Sequence, residues 1–210
     1  ADQIGSIETA DIAALTTAQL SGLSTASAQA LTSAQVTALG SAQLQSLSST
    51  QLNALDAEDV TAMGTAQIAA LTTTQVSQLS TTQVGALSTS QVAGMTTAQV
   101  ASLTTAQMAS LSNDQIAKLG TQQAQSLTAT QINALSADQV AAVETADIAA
   151  LTTAQLSGLS TATVSALSTA QLEALSTSQV KALTSTQLNA LSADQIGSIE
   201  TADIAALTTA

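Results

Sequence analysis

Few of the 210 residues carry side chains able to do covalent or acid–base chemistry. Nucleophilic catalysis needs a base beside the nucleophile, and the chain has no His, no Cys and only two lysines, Lys118 and Lys181. Its many Ser and Thr residues recur at fixed positions, which suits a structural duty better than a reaction. The acids are the next place to look, since clustered carboxylates serve general acid–base work or Ca²⁺ binding. The densest group is Asp56-Ala57-Glu58-Asp59. It lacks the Asp/Asn alternation and turn glycine of an EF-hand loop, so Asp56, Glu58 and Asp59 are at most a weak Ca²⁺ candidate beside a favoured role in helix capping. A recurring Glu-Thr-Ala-Asp at 8–11, 144–147 and 200–203 reads as capping too. Met63, Met95 and Met108 are the only soft ligands, too few for an axial heme pair without His or Cys. The glycines, among them Gly40, Gly64 and Gly120, stand singly and form no phosphate-binding loop. Neither an enzymatic activity nor a cofactor is expected, Ca²⁺ being the one ion to consider.

Charge narrows the partners. A net charge of −12 lacks the basic footprint that neutralises nucleic-acid phosphates, and it disfavours anionic membrane surfaces. Ser, Thr and Gln interrupt every apolar stretch well short of the roughly 20 residues that span a bilayer. The chain has no Phe, Tyr, Trp or Pro, so any core is thin and aliphatic. The first residues, Ala1-Asp2-Gln3-Ile4, show neither the basic nor the apolar region of a signal peptide.

What positions these residues is a repeat of eight. Leu15, Leu23, Leu31, Leu39, Leu47 and Leu55 begin a series that runs through Met63, Val143 and Ile199 to Leu207 without slipping. Five residues after each stands a second apolar position, as at Leu20, Val36, Leu44, Val60 and Ile68. The pattern is L-[ST]-[ST]-[AST]-Q-[VIL]-x-[AGS], and no linker or second domain interrupts it, so residues 1–210 form one continuous array. Residues 1–18 recur unchanged as 193–210, and a near copy fills 137–154. Such block duplication is expected of a piece of a longer array.

An uninterrupted α-helix suits this period poorly, because eight residues at about 100° each overshoot two turns by about 80° and spiral the apolar stripe around the helix. A strand does no better, since positions five apart fall on opposite faces. Short helices fit. With the Ser/Thr after each Leu at the N-cap, Gln falls at N3, which is the capping box S/T-x-x-Q, as in Thr16 and Gln19, Thr32 and Gln35, or Ser88 and Gln91. Leu becomes N′ and the second apolar residue N4, the pair that forms a hydrophobic staple. Asp2, Glu8, Asp11, Asp56, Glu58, Asp59, Asp114, Asp138, Glu144, Asp147, Asp194, Glu200 and Asp203 then all lie at the N-cap, N2 or N3. Glu173 alone does not, while both lysines sit near a helix C-terminus, as the macrodipole favours. Helices of six or seven residues melt alone, so stability must belong to the array. The expected fold is an all-α solenoid or superhelix of very short helices, one per octapeptide. A β-solenoid is the alternative. The small residue closing each octad would let neighbouring helices approach, and Ala28 and Ala124, where a larger residue is usual, mark softer octads.

Runs such as LTTAQLSGLSTA, LTTTQVSQLSTTQV and MTTAQVASLTTAQM resemble the octapeptide tandem repeats of large bacterial exoproteins, often labelled adhesion or heme-utilisation proteins. The resemblance implies export and a place outside the cell or at its surface, and it brings no catalytic residue. Together these features point to a self-associating structural protein: a filament, stalk or surface-layer-like extension. The alternative is an adhesive or partner-recognising solenoid.

Overall fold

In most octads two extended residues separate one helix from the next. At the junction before Ala57, Leu55 has φ −67° and ψ 141°, and Asp56 has φ −68° and ψ 157°. The helix opens when the N4 amide donates to the N-cap carbonyl, as from Val36 N to Thr32 O at 2.9 Å. It closes when the next Leu amide donates back to N4, as from Leu39 N to Val36 O at 3.2 Å. The turn therefore needs no left-handed residue, and no described residue has a positive φ. That is why the chain dispenses with the glycine stop and proline start that usually punctuate helices.

The structure is a computed structural model that describes residues 2–207; the side chains of Asp2, Ala202 and Ala206 and all of residues 208–210 lie outside the description. Among the described residues there are twenty-six helices, numbered in chain order from α1 (Asp2–Gly5) to α26 (Thr201–Leu207), each of four to seven residues, and no strand. The fold is thus the all-α solenoid of short helices, not the β-solenoid. Many helices are shorter than the repeat suggests, because octads such as those at Gly22 and Ala117 end in an αR cap residue before the extended junction. No helix of the described residues is long and apolar enough to cross a membrane.

The contacts divide the chain into two compact units, Ala1–Ser110 and Leu111–Ala210. The eight-residue spacing runs through the boundary unbroken. Within each unit a helix packs on the third helix along. In the first, α4 (Thr25–Gln29) lies against α7 (Ser49–Ala54), and α5 (Ser33–Ala38) against α8 (Ala57–Ala62). In the second, α16 (Thr121–Ser126) lies against α19 (Thr145–Ala150), and α19 against α22 (Thr169–Glu173). This packing places the neighbouring turn about three octads along the chain.

Three residues of a typical octad are buried: Leu, the Gln at N3 and the apolar residue at N4. Val92, Val100 and Met108 are fully buried. The closing small residue touches the turn before it, as expected. A β-carbon on Gly158 would lie 2.8 Å from Ala129 Cβ, and one on Gly94 would lie 3.2 Å from Thr65 Cβ. Of the two octads with alanine at N4, the one at Ala124 leaves a purely apolar void of about 20 Å³ among Leu119, Leu127, Ile132, Leu135 and Ile148.

Candidate functional site

The three acids singled out for Ca²⁺ do not converge. Asp56 is the N-cap of α8, Glu58 is its N2 residue and Asp59 its N3 residue, and only Asp59 is buried. Both oxygens of Asp59 are already engaged. Oδ2 accepts the backbone N–H of Asp56 at 3.1 Å, and Oδ1 accepts the hydroxyl of Ser33, in α5, at 2.7 Å. Among the described residues no group of three or more His, Cys, Asp or Glu is placed to hold a metal ion.

The polar group that recurs through both units is the N3 glutamine. Its carbonyl closes the capping box: Thr96 N donates to Gln99 Oε1 at 2.8 Å, and Gln99 N donates to Thr96 Oγ1 at 3.2 Å. At Gly40, Gly64 and Gly120, which have no side chain to accept, only the return bond to Gln remains, at 2.7, 2.9 and 2.8 Å. The amide nitrogen then does something a capping box does not require. Gln99 Nε2 donates to Ile68 O at 2.8 Å and to Leu71 O at 2.7 Å, 31 and 28 residues earlier. These are carbonyls at the C-terminal end of α9 (Thr65–Ala70), four helices back.

The same offsets recur. Gln51 reaches Leu20 O and Leu23 O at 3.0 and 2.8 Å, Gln155 reaches Ala124 O and Leu127 O at 3.0 and 2.6 Å, and Gln187 reaches Leu156 O and Leu159 O at 2.8 and 2.7 Å. Helices begin with unpaired N–H groups and end with unpaired carbonyls. One neutral amide therefore satisfies the start of one helix and the end of another, and only one orientation of the amide can do both. Packing on the third helix and bonding to the fourth place one superhelical turn between three and four octads.

At Thr163 a departure from Gln is repaired from the preceding turn. Thr163 stands at N3 in α21 (Thr161–Ser165), and Asn133 takes over: its Oδ1 accepts Ser160 N at 2.8 Å and Thr163 Oγ1 at 2.9 Å, while its Nδ2 donates to Gly158 O at 3.0 Å. Asn53 likewise accepts Ser80 N at 3.0 Å. This octad position, which looks outward-facing in the sequence, is thus a second tie between turns where it carries a carboxamide. Gln45 and Gln125 use it the same way, donating to Ala70 O at 2.7 Å and Ala150 O at 3.0 Å.

The acids otherwise sit at the helix starts assigned to them, with one correction. Glu8 and Glu144 occupy N-caps, but neither side chain makes the cap hydrogen bond. The Asp56 side chain, at the N-cap of α8, makes none either. Lys181 lies in the last turn of α23 (Thr177–Ala182), and Lys118 just beyond α15 (Asn113–Ile116). Asp147 is the exception among the acids. It is 3% exposed, and its Oδ2 is buried with no hydrogen-bond partner. Burial, and then the neighbouring Glu144 carboxylate, push its carboxyl above the ordinary aspartate range.

The missed feature was the amide nitrogen. A signal for it exists in the sequence: a capping box accepts Glu or Gln at N3, yet no octad here has Glu there. Asp does stand there, at 11, 59, 147 and 203, but Gln is far the commoner residue and its amide brings a donor.

Fold and ties together define a tandem-repeat protein of the helical solenoid class. The ALTTAQ repeat matches residues 4–41, 53–89, 62–97, 82–113, 89–121, 140–177 and 164–198, well over half of the chain, and the chain belongs to that repeat family. A comparison with curated proteins gave no match.

Proposed function

We propose that the chain is a structural element, a solenoid that supplies length and mechanical continuity to an extracellular filament, stalk or surface-layer-like extension. The observation that carries this reading is the repeated glutamine tie. It spends the chain's buried polar groups on joining one turn to the next. Ser and Thr, the only plentiful nucleophile types, cap helices instead, as Thr96 and Thr152 do. We therefore read the protein as a non-enzyme without nucleic-acid partners. Its likeness to the octapeptide repeats of large bacterial exoproteins and adhesins supports a place at or outside the cell surface.

Electron microscopy of the purified protein tests the proposal. Regular filaments of uniform width are expected. Discrete particles that retain a partner through purification would favour an adhesive solenoid instead. Labelling of intact cells by an antibody raised against the chain tests the location, and signal only after lysis would count against it.

A further inference from the structure

Glutamines at N3 in the second unit hold the carbonyl 28 residues earlier, and several also hold the one 31 earlier. Gln139 donates to Leu111 O at 2.6 Å and Gln155 to Ala124 O and Leu127 O, so the octad between them assigns residue 147 to the carbonyls of Ile116 and Leu119, at the end of α15. That residue is Asp. An ionised carboxylate only accepts hydrogen bonds and has nothing to offer a carbonyl oxygen, whereas a protonated one carries a donor. Asp59 meets the same difficulty in the first unit, and the Ser33 hydroxyl relieves it. The corresponding residue in the second unit, 26 positions before Asp147, is Thr121, which is exposed and makes no such bond.

We propose that Asp147 is a proton-operated tie: ionised, it leaves the turn between α15 and α19 unfastened at this octad, and protonated, it donates from its buried carboxyl towards the carbonyls that glutamine holds elsewhere. The surroundings favour the proton over a counterion. Glu144, at the N-cap of the same helix, is another acid; α16 carries no ionisable side chain; and α22 carries only Glu173. On α15, Asp114 and, just beyond it, Lys118 are both exposed. No cation of the chain is buried beside Asp147, and two carboxylates are a sparse set for an ion that takes six to eight oxygens.

The sign follows from linkage. A carboxyl whose folded-state pKa is raised binds its proton more tightly in the folded chain, so this group adds stability as pH falls through that raised value and withdraws it as pH rises. The proposal stands whether or not the chain forms filaments.

Carboxyl-carbon NMR of the intact chain, assigned with Asp147→Asn, tests it. Asp147 is expected to titrate clearly above the ordinary value of about 3.9. The amides of α19 should exchange at least several-fold more slowly once it is protonated. Asp147→Gln, which installs the tie permanently, should raise the Tm near neutral pH, and that gain should shrink as the pH approaches about 4. Titration of Asp147 in the ordinary range overturns the proposal, as does a Tm gain that does not vary with pH. A stabilisation by millimolar Ca²⁺ at neutral pH that Asp147→Gln abolishes also overturns it, by making a cation the neutralising partner. Should Asp147→Gln fail to fold, the titration of the unsubstituted chain still decides.

Discussion

Gln99 in α13 (Thr97–Ser102) and Asp147 in α19 occupy the same place in their octads, and both are buried, yet one is fully bonded and the other is not. Gln99 offers an acceptor to its own N-cap and a donor to two carbonyls of the turn before. Asp147 offers acceptors alone, and its Oδ2 finds no partner. The two are alike in burial and differ in the capacity to donate, Asp147 being also one methylene shorter. What joins successive turns is therefore a donor at N3, and the apolar positions supply the surface over which it is held.

The largest test turns the first region into the second. Gln99→Glu places an unpaired carboxylate, at neutral pH, against Ile68 O and Leu71 O in a site 1% exposed. A buried charge without a partner costs about 3–5 kcal/mol. Native-state hydrogen exchange is the suitable readout, because repeat arrays open turn by turn. Protection lost across α9 and α13 is expected, and a loss confined to the N-cap of α13 would mean the tie to the earlier turn carries little.

Asp59 supplies an intermediate case. Removing its donor with Ser33→Ala should make α8 resemble α19, at a cost of about 1.5–3 kcal/mol for a hydrogen bond to a charged group. Protection of the α8 amides against hydrogen exchange should fall with it. Unaltered stability and protection of α8 would break the parallel with Asp147. Smaller still is Thr96→Ala, which removes the forward half of one capping box while Gln99 keeps its reach. It should cost about 1 kcal/mol in denaturant unfolding, with protection of α9 little altered.

The smallest effect concerns packing, and its sign is opposite. Ala124→Val restores the usual branched residue beside the void of about 20 Å³ in the second unit. A gain of up to about 1 kcal/mol is expected, near the value of one buried methylene. Destabilisation would show that Ile148 and its neighbours cannot make room. Gly158 sets the contrast, since a β-carbon there meets Ala129 Cβ at 2.8 Å and has nowhere to go.

Much of this was legible in the octapeptide. Thr16 and Gln19, or Ser88 and Gln91, announce their helix starts because capping is local, written within four residues. The buried Leu and Val positions follow from the period for the same reason. The ties escaped because they join residues 28 and 31 apart, and a spacing rule for one octad holds no information about which octads lie together. The local motif uses glutamine's carbonyl and leaves its nitrogen unspecified. Asn133 and Ser33 escaped more completely. Each repairs an irregular octad a full turn later, so neither looks unusual beside its own neighbours.

The central claim is that the N3 carboxamide joins turns of the solenoid, and scalar coupling across its hydrogen bonds reports that directly. In uniformly labelled protein, the side-chain amide of Gln99 should show through-bond correlations to the carbonyl carbons of Ile68 and Leu71, alongside its own N-cap contact with Thr96. Correlations to Ile68 and Leu71 are the predicted result. A Gln99 amide that exchanges freely with water and shows neither correlation would contradict the account.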